Sequence, residues 1–106
     1  MPTLVVLYRQ PEDPAEFDRL YFGQHVPLVH RVPHLAGVRV GKVTAQLAGE
    51  PALYLRAELD FASQEDFEAA SQTPEFQALG ADVASWGADR LATILLVDDV
   101  PPDGHA

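Results

Sequence analysis

Short apolar runs separated by polar turns predict four β-strands in this chain. Residues Thr3–Arg9 are β-branched and aromatic, with apolar side chains on both sides of the alternation, which predicts a strand buried on both faces. Residues Leu53–Phe61 alternate strictly between apolar and polar side chains, as expected for a strand with one buried face. The other two strands are predicted over residues 38–44 and 91–99.

A helical pattern follows the first strand. Asp13 is suited to the N-cap, Pro14 to the first helical position and Glu16 to a capping box. Pro27 is predicted to kink or end this helix, because its ring crowds the carbonyl of Gly23, four residues earlier. The apolar stripe of the helix is predicted to contain Phe17, Leu20, Tyr21, His25 and Leu28.

A second helical region is predicted between the third and fourth strands. Ser63 with Asp66 marks one helix start, and Thr73 with Pro74 marks a restart. Apolar side chains then recur at helical spacing, at Phe76, Leu79, Val83 and Trp86.

The order β-α-β-β-α-β predicts an α+β fold. Short right-handed connections give a ferredoxin-like four-stranded antiparallel sheet with two helices on one face. The other face would be bare, although the first and last strands carry apolar residues on both sides. We therefore expect a homodimer joined sheet to sheet. The alternative is that one side of these strands is partly exposed, as much apolar surface is.

Composition narrows the class of protein. The chain has 106 residues, which predicts one domain over residues 1–99 and a flexible C-terminal tail over 100–106 that includes His105. A net charge of -9 with scattered basic residues predicts no nucleic-acid partner.

The apolar runs are too short for a membrane span and the N-terminus lacks signal-peptide features, so we expect no membrane association and a cytoplasmic location. Cysteine is absent, which excludes disulfides and thiolate chemistry.

His25 is the residue with the most informative position. An ordinary histidine pKa near ~6.5 suits general acid or base catalysis near neutral pH. Tyr21 lies one turn earlier on the same face, where it can orient the ring or a substrate oxygen. A structural role is an equal alternative, in which His25 hydrogen-bonds within the fold and interacts with the helix C-terminus.

Five further residues are candidates for substrate binding. They are Phe17 and Leu28 on the first helix, and Tyr8, Tyr54 and Arg56 on strands. The sequence does not decide whether the strand residues reach His25 or the dimer seam. His30 and His34 are four apart but flank Pro33, so we expect no metal site. Gly37 and Gly41 do not form a phosphate-binding turn after the first strand, and we expect no cofactor.

The stretch "FDRLYFGQHVPLV", preceded by "LYRQPEDPAE", resembles the EthD family of dimeric α/β-barrel proteins. The matching positions are Phe17, Tyr21, His25, Pro27, Leu28 and Pro33. One position departs from the pattern. The family commonly has Pro-Gly-Leu where this chain reads Pro33-His34-Leu35, so we expect the backbone there to differ.

The resemblance implies a dimeric ferredoxin-like barrel. The family is named after a protein that accompanies a monooxygenase system degrading ethyl tert-butyl ether. Similar barrels include isomerases and polyketide cyclases that move protons without cofactors. The resemblance thus implies cofactor-independent acid–base chemistry of the isomerase, cyclase or dehydratase type on a small hydrophobic or cyclic compound, with His25 as the acid or base. The alternative is a non-catalytic accessory or ligand-binding protein of a degradation pathway, with an oxygenase as its partner.

Overall fold

The strands and helices follow the predicted order. The structure is a computed structural model and describes residues 1–104. Its elements are β1 (Pro2–Arg9), α1 (Pro14–Leu20), a π-helical turn (Tyr21–His25), α2 (Val26–Val29), β2 (Leu35–Lys42), β3 (Leu53–Phe61), α3 (Gln64–Ser71), α4 (Pro74–Ser85), a 3-10 helix (Ala88–Leu91) and β4 (Ala92–Asp98). Within residues 1–104, no helix has both the length and the apolar character needed to cross a membrane.

The four strands form one antiparallel sheet in the order β2-β3-β1-β4. Val6 of β1 pairs with Ala57 of β3 on one side and with Ile94 of β4 on the other. The arrangement confirms the predicted ferredoxin-like α+β fold. β2 begins at Leu35, three residues before the predicted start, because Leu35 already pairs with Phe61.

The helices begin at the predicted capping residues. The side chain of Asp13 accepts a hydrogen bond from the backbone N–H of Glu16, which satisfies a free donor of the first turn. Ser63 and Thr73 cap α3 and α4 in the same way. Local sequence therefore sets where α1, α3 and α4 start.

α1, the π-helical turn and α2 are continuous and are here called the first helical segment. This segment does not end at Pro27. α1 widens into the π-helical turn, where the N–H of Val26 donates to the carbonyl of Tyr21, five residues earlier, and the helix continues to Val29. Proline has no N–H to donate in the α-helical pattern, and the widened turn immediately before Pro27 is where the hydrogen-bond pattern changes. Of the two predicted effects of Pro27, a kink or an end of the helix, the end is wrong, because the segment continues to Val29.

The core lies between the helices and one face of the sheet, here called the inner face. One cluster surrounds Tyr8, Phe17, Tyr21 and Leu55. The other joins helix and sheet residues further along: Val29, Val32, Leu59, Phe61 and Ala70. These clusters hold the first helical segment and α4 against the sheet.

The opposite face of the sheet, here called the outer face, is divided into two halves. Its β1–β4 half is apolar, with Leu95 44% and Val97 40% exposed beside half-buried Val5 and Leu7. Its β2–β3 half is charged and carries Arg39, Arg56, Glu58 and Asp60. The apolar half lacks a cover within residues 1–104.

His34 has a positive φ of 67°. Glycine adopts such angles freely, whereas histidine is one of the few other residues that tolerates them. His34 therefore lies in the backbone region that glycine favours, and a backbone different from that of the family stays a prediction at this position.

The predicted C-terminal tail begins shortly after β4 ends at Asp98. Residues 105 and 106, including His105, lie outside the described residues. The flexibility of residues 100–106 stays a prediction.

Candidate active site

A cavity of about 470 Å³ lies between the inner face of the sheet and the helices. Its volume is in the range of small-molecule sites. The sheet contributes Leu4, Val6, Ala57, Leu59, Ala92 and Ile94. The helices α3 and α4 contribute Phe67, Phe76, Leu79, Gly80, Val83 and Ala84. The walls are therefore almost entirely apolar.

The π-helical turn brings two polar side chains into this apolar wall. Because a π-helical turn holds more residues than an α-helical turn, side chains four apart stay on one side of the helix. Phe17, Tyr21, His25 and Val29 are accordingly the buried residues of the first helical segment. Val29 thus takes the buried position that regular α-helical spacing gave to Leu28.

His25 is hydrogen-bonded to Asp82 of α4. Its Nδ1 lies 2.9 Å from Asp82 Oδ2, and the two side chains are only 7% and 6% exposed. Asp82 also accepts hydrogen bonds from Gln24 Nε2 at 2.5 Å and from Trp86 Nε1 at 3.3 Å. Three side-chain donors therefore hold the carboxylate in one orientation.

The surroundings of this pair set its protonation. Burial raises the pKa of Asp82, but the hydrogen bonds from Gln24, His25 and Trp86 outweigh it and hold the pKa below the ordinary carboxyl value. Burial lowers the pKa of His25, and the hydrogen bond and charge of Asp82 oppose this only in part. At neutral pH the pair therefore consists of a neutral imidazole and a carboxylate.

This protonation state fixes the role of each ring nitrogen. An ionised carboxylate only accepts hydrogen bonds, so the hydrogen of the His25 ring lies on Nδ1. The other nitrogen, Nε2, keeps a free lone pair and forms no hydrogen bond within residues 1–104. It is the atom of the pair that remains available to a molecule in the cavity.

Two phenol side chains, those of Tyr8 and Tyr21, line the same cavity as the His25 ring. The ring centroid of Tyr21 is 5.3 Å from that of His25 and 5.5 Å from that of Tyr8. Burial, followed by the charge of Asp82, raises the pKa of Tyr8 to about 12, and burial also raises the pKa of Tyr21. Both phenols stay protonated at neutral pH. Neither hydroxyl forms a hydrogen bond within the described chain, so both can donate to a ligand.

The structure brings His25, Tyr21 and Tyr8 together at the cavity. Phe17 does not line it but stacks on Tyr21, with the ring centroids 5.5 Å apart and the planes at 10°. Leu28 is half-buried on the same helical segment and also lies outside the cavity wall.

The other two candidates for substrate binding lie elsewhere. The Tyr54 hydroxyl donates to Asp18 Oδ1 at 2.8 Å and accepts from Lys42 Nζ at 3.0 Å, which ties β3 to α1. Arg56 alternates along β3 with the inward-facing Leu55 and therefore lies on the outer face. Neither residue lines the cavity.

Asp82 is the member of the site that sequence reasoning missed. It follows Leu79 by three residues and precedes Trp86 by four, so it falls on the apolar stripe of α4. A carboxylate on such a stripe is the same signal that singled out His25. Its pairing with a residue 57 positions away in the chain has no local signature.

The exposed His30 and His34 do not line the cavity. Across the part of the chain that the structure describes, no three His, Cys, Asp or Glu side chains are grouped as ligands of a metal ion.

Comparison with known families places this site in context. The EthD domain matches residues 9–89. An uncharacterized 11.0 kDa protein from the thcB-thcC intergenic region of Rhodococcus erythropolis is 34% identical over 99 residues, which are 93% of this chain and 95% of that protein.

Two solved structures have the same fold. An EthD family protein of Bacillus halodurans is 33% identical, with a TM-score of 0.86 over 94% of this chain and 99% of that one. A dimeric ferredoxin-like protein of unknown function from Jannaschia sp. CCS1 is 12% identical, with a TM-score of 0.69 over 93% of this chain and all of that one (100%). At that identity, the second likeness shows the fold alone.

Proposed function

We propose that this chain, which belongs to the EthD family, is an enzyme that moves a proton on a small hydrophobic organic molecule. The observation that carries the proposal is the His25–Asp82 pair at the wall of an apolar cavity. When Nδ1–H of a neutral histidine donates to a carboxylate, Nε2 is the nitrogen that can accept a proton as a general base.

Each group at the cavity has a role in such a step. His25 Nε2 takes a proton from a carbon next to the substrate carbonyl, and the imidazolium that forms is stabilised by Asp82. The electron pair moves to the carbonyl oxygen. The hydroxyls of Tyr8 and Tyr21 donate hydrogen bonds to that oxygen as its negative charge develops. The imidazolium then returns the proton to a different atom of the substrate, or to a leaving hydroxyl.

Isomerisation, cyclisation and dehydration all contain this first step. The apolar walls favour it because a bound hydrophobic substrate displaces water from them, so that hydrogen bonds to the developing charge are stronger than in solution. The chain's own residues supply the base, the group that orients it and the two donors. We therefore propose that the protein belongs to this class of cofactor-independent enzymes.

Proton exchange tests the step without knowledge of the natural substrate. We suggest following the exchange of the methyl protons of 2-acetylnaphthalene in D₂O by NMR. We expect the wild-type protein to accelerate exchange and His25→Gln to reduce the acceleration by at least about 100-fold. His30→Gln is the matched control, because His30 is exposed and outside the cavity.

A second variant tests the role of Asp82. Asp82→Asn keeps the shape of the side chain but removes the charge that stabilises the imidazolium, so exchange is expected to slow while circular dichroism stays unchanged. Equal exchange in wild-type protein and His25→Gln would contradict the proposal. If 2-acetylnaphthalene bound without exchange, the accessory ligand-binding role, with a pathway oxygenase as partner, would be favoured.

We also propose that the protein is a homodimer joined through the outer faces of two sheets. The half-exposed Leu95 and Val97 beside Val5 and Leu7 support this, since a second copy would cover them. The dimeric ferredoxin-like proteins among its structural neighbours also support it.

A further inference from the structure

No positively charged side chain of residues 1–104 lines the cavity, since the lining includes neither Lys nor Arg. Its one charged residue is Asp89, an exposed carboxylate that precedes β4 in the 3-10 helix. Asp82 adds a second negative charge directly behind His25. Both charges at this site are therefore negative.

The basic side chains Lys42 and Arg9 make their hydrogen bonds outside the cavity. Lys42 is hydrogen-bonded to Asp18 and Tyr54, between α1 and β3. Arg9 donates to the carbonyl of Arg90, and neither arginine lines the cavity. An anionic ligand would lose its hydration, would find no counter-ion and would approach two carboxylates.

The polar end of the cavity disfavours a pure hydrocarbon as well. His25 Nε2 and the hydroxyls of Tyr8 and Tyr21 form no hydrogen bonds within residues 1–104. A hydrocarbon that displaced water from these three groups would leave them unpaired, which is costly in an apolar site. A ligand with one oxygen at this end would satisfy the two phenol donors.

We propose that the substrate is an uncharged hydrophobic ketone or aldehyde whose carbonyl oxygen lies between Tyr8 and Tyr21, and that carboxylic acids of the same size are excluded. This specificity rests on the proposed function for the identity of the site, but it concerns binding and not turnover. The apolar walls accept the hydrophobic body of the compound, and the carboxylates Asp82 and Asp89 reject anions.

Three compounds with the same ring system test this specificity. Naphthalene, 2-acetylnaphthalene and 2-naphthoate differ only in the polar group, and their dissociation constants are measured by calorimetry at neutral pH. We expect 2-acetylnaphthalene to bind at least about tenfold more tightly than either of the others. Equal or tighter binding of 2-naphthoate, equal binding of naphthalene, or no binding of any compound would overturn the proposal.

A charge reversal at the cavity tests the cause of the selectivity. In Asp89→Lys, the ratio of affinities for ketone over carboxylate is expected to fall by at least about threefold, because one repelling charge becomes attractive. Glu50→Lys is the matched control, with the same change of net charge in the exposed β2–β3 loop. If both variants changed the ratio equally, the cause would be the net charge of the protein, and the role of Asp89 would be refuted.

The two proposals fail in different ways. If the ketone binds selectively but exchanges no protons, the ligand class stands and the enzymatic proposal falls. If His25-dependent exchange occurs equally with charged and uncharged ketones, the enzymatic proposal stands and the ligand class falls.

Discussion

At the scale of single residues, the position of His25 is explained by Asp82. A histidine on an apolar stripe carries a desolvation cost that leucine would avoid. The carboxylate of Asp82 supplies the hydrogen bond that offsets this cost in part, and it is itself held by Gln24 and Trp86. Burial nevertheless has the larger effect, so the ring is neutral when the protein is folded near neutral pH.

The lowered pKa of His25 predicts a pH dependence of stability. In the unfolded chain its pKa returns to the ordinary value of 6.5. Between the two pKa values the unfolded state binds a proton that the folded state does not, so stability is full above 6.5 and declines as the pH falls towards the folded pKa. We expect the free energy of unfolding, measured with urea, to fall less in His25→Gln than in wild-type protein between about pH 7.5 and pH 5.5.

His30→Gln is the control for this measurement, because it removes an exposed histidine. It should show the same decline as the wild-type protein. An identical decline in all three proteins would mean that His25 has the same proton affinity in the folded and unfolded states.

At the scale of elements, the π-helical turn is the feature that local rules did not predict. Helical spacing correctly placed Phe17, Tyr21 and His25 on the buried face, because they are four apart and either helical form keeps them close. Helical spacing wrongly predicted Leu28 as the last residue of the apolar stripe, since the α-helical period does not apply across a wider turn.

Gly23 offers a test of this element. It is exposed within the π-helical turn, and a Cβ there would meet no atom within 4 Å. Gly23→Ala is therefore expected to raise the free energy of unfolding by about 0.5–1 kcal/mol, because alanine loses less backbone entropy than glycine in a helix. Urea denaturation measures the change. A loss of stability would show that this turn needs the conformational freedom of glycine.

At the scale of the whole molecule, the outer face of the sheet is the surface through which we propose that two copies associate. Apolar residues on both sides of β1 are explained if its inner side packs on helices and its outer side is available to a second copy. The edge strand β4 is exposed on both sides, with Ile94 62% exposed on the inner face and Leu95 44% exposed on the outer face. The charged β2–β3 half of the same face shows that the outer face is not uniformly apolar. Its Arg56 Nε is buried without a hydrogen-bond partner within residues 1–104, whereas the buried Glu58 Oε2 forms an ion pair with Arg39 at 3.0 Å.

A charge in the apolar half of the outer face tests the dimer. Leu95→Glu is expected to convert a dimer into a monomer, because the carboxylate would be buried without a partner at the interface. Light scattering coupled to gel filtration measures the mass. Leu47→Glu is the matched control, since Leu47 is 96% exposed in the loop after β2. A monomeric wild-type protein, or a Leu95→Glu variant that remains dimeric, would contradict this mode of association.

The sequence by itself determined the order of the elements, their capped starts and the inward orientation of Tyr21 and His25. Each of these follows from interactions between residues a few positions apart, whose spacing is written in the chain. Only the tertiary structure decided that Asp82 is hydrogen-bonded to His25. It also decided that Tyr8 lines the same cavity as His25, whereas Arg56 lies outside that cavity. These outcomes depend on how α4 and the first helical segment pack against the sheet. Such contacts join residues far apart in the chain, and no local period encodes them.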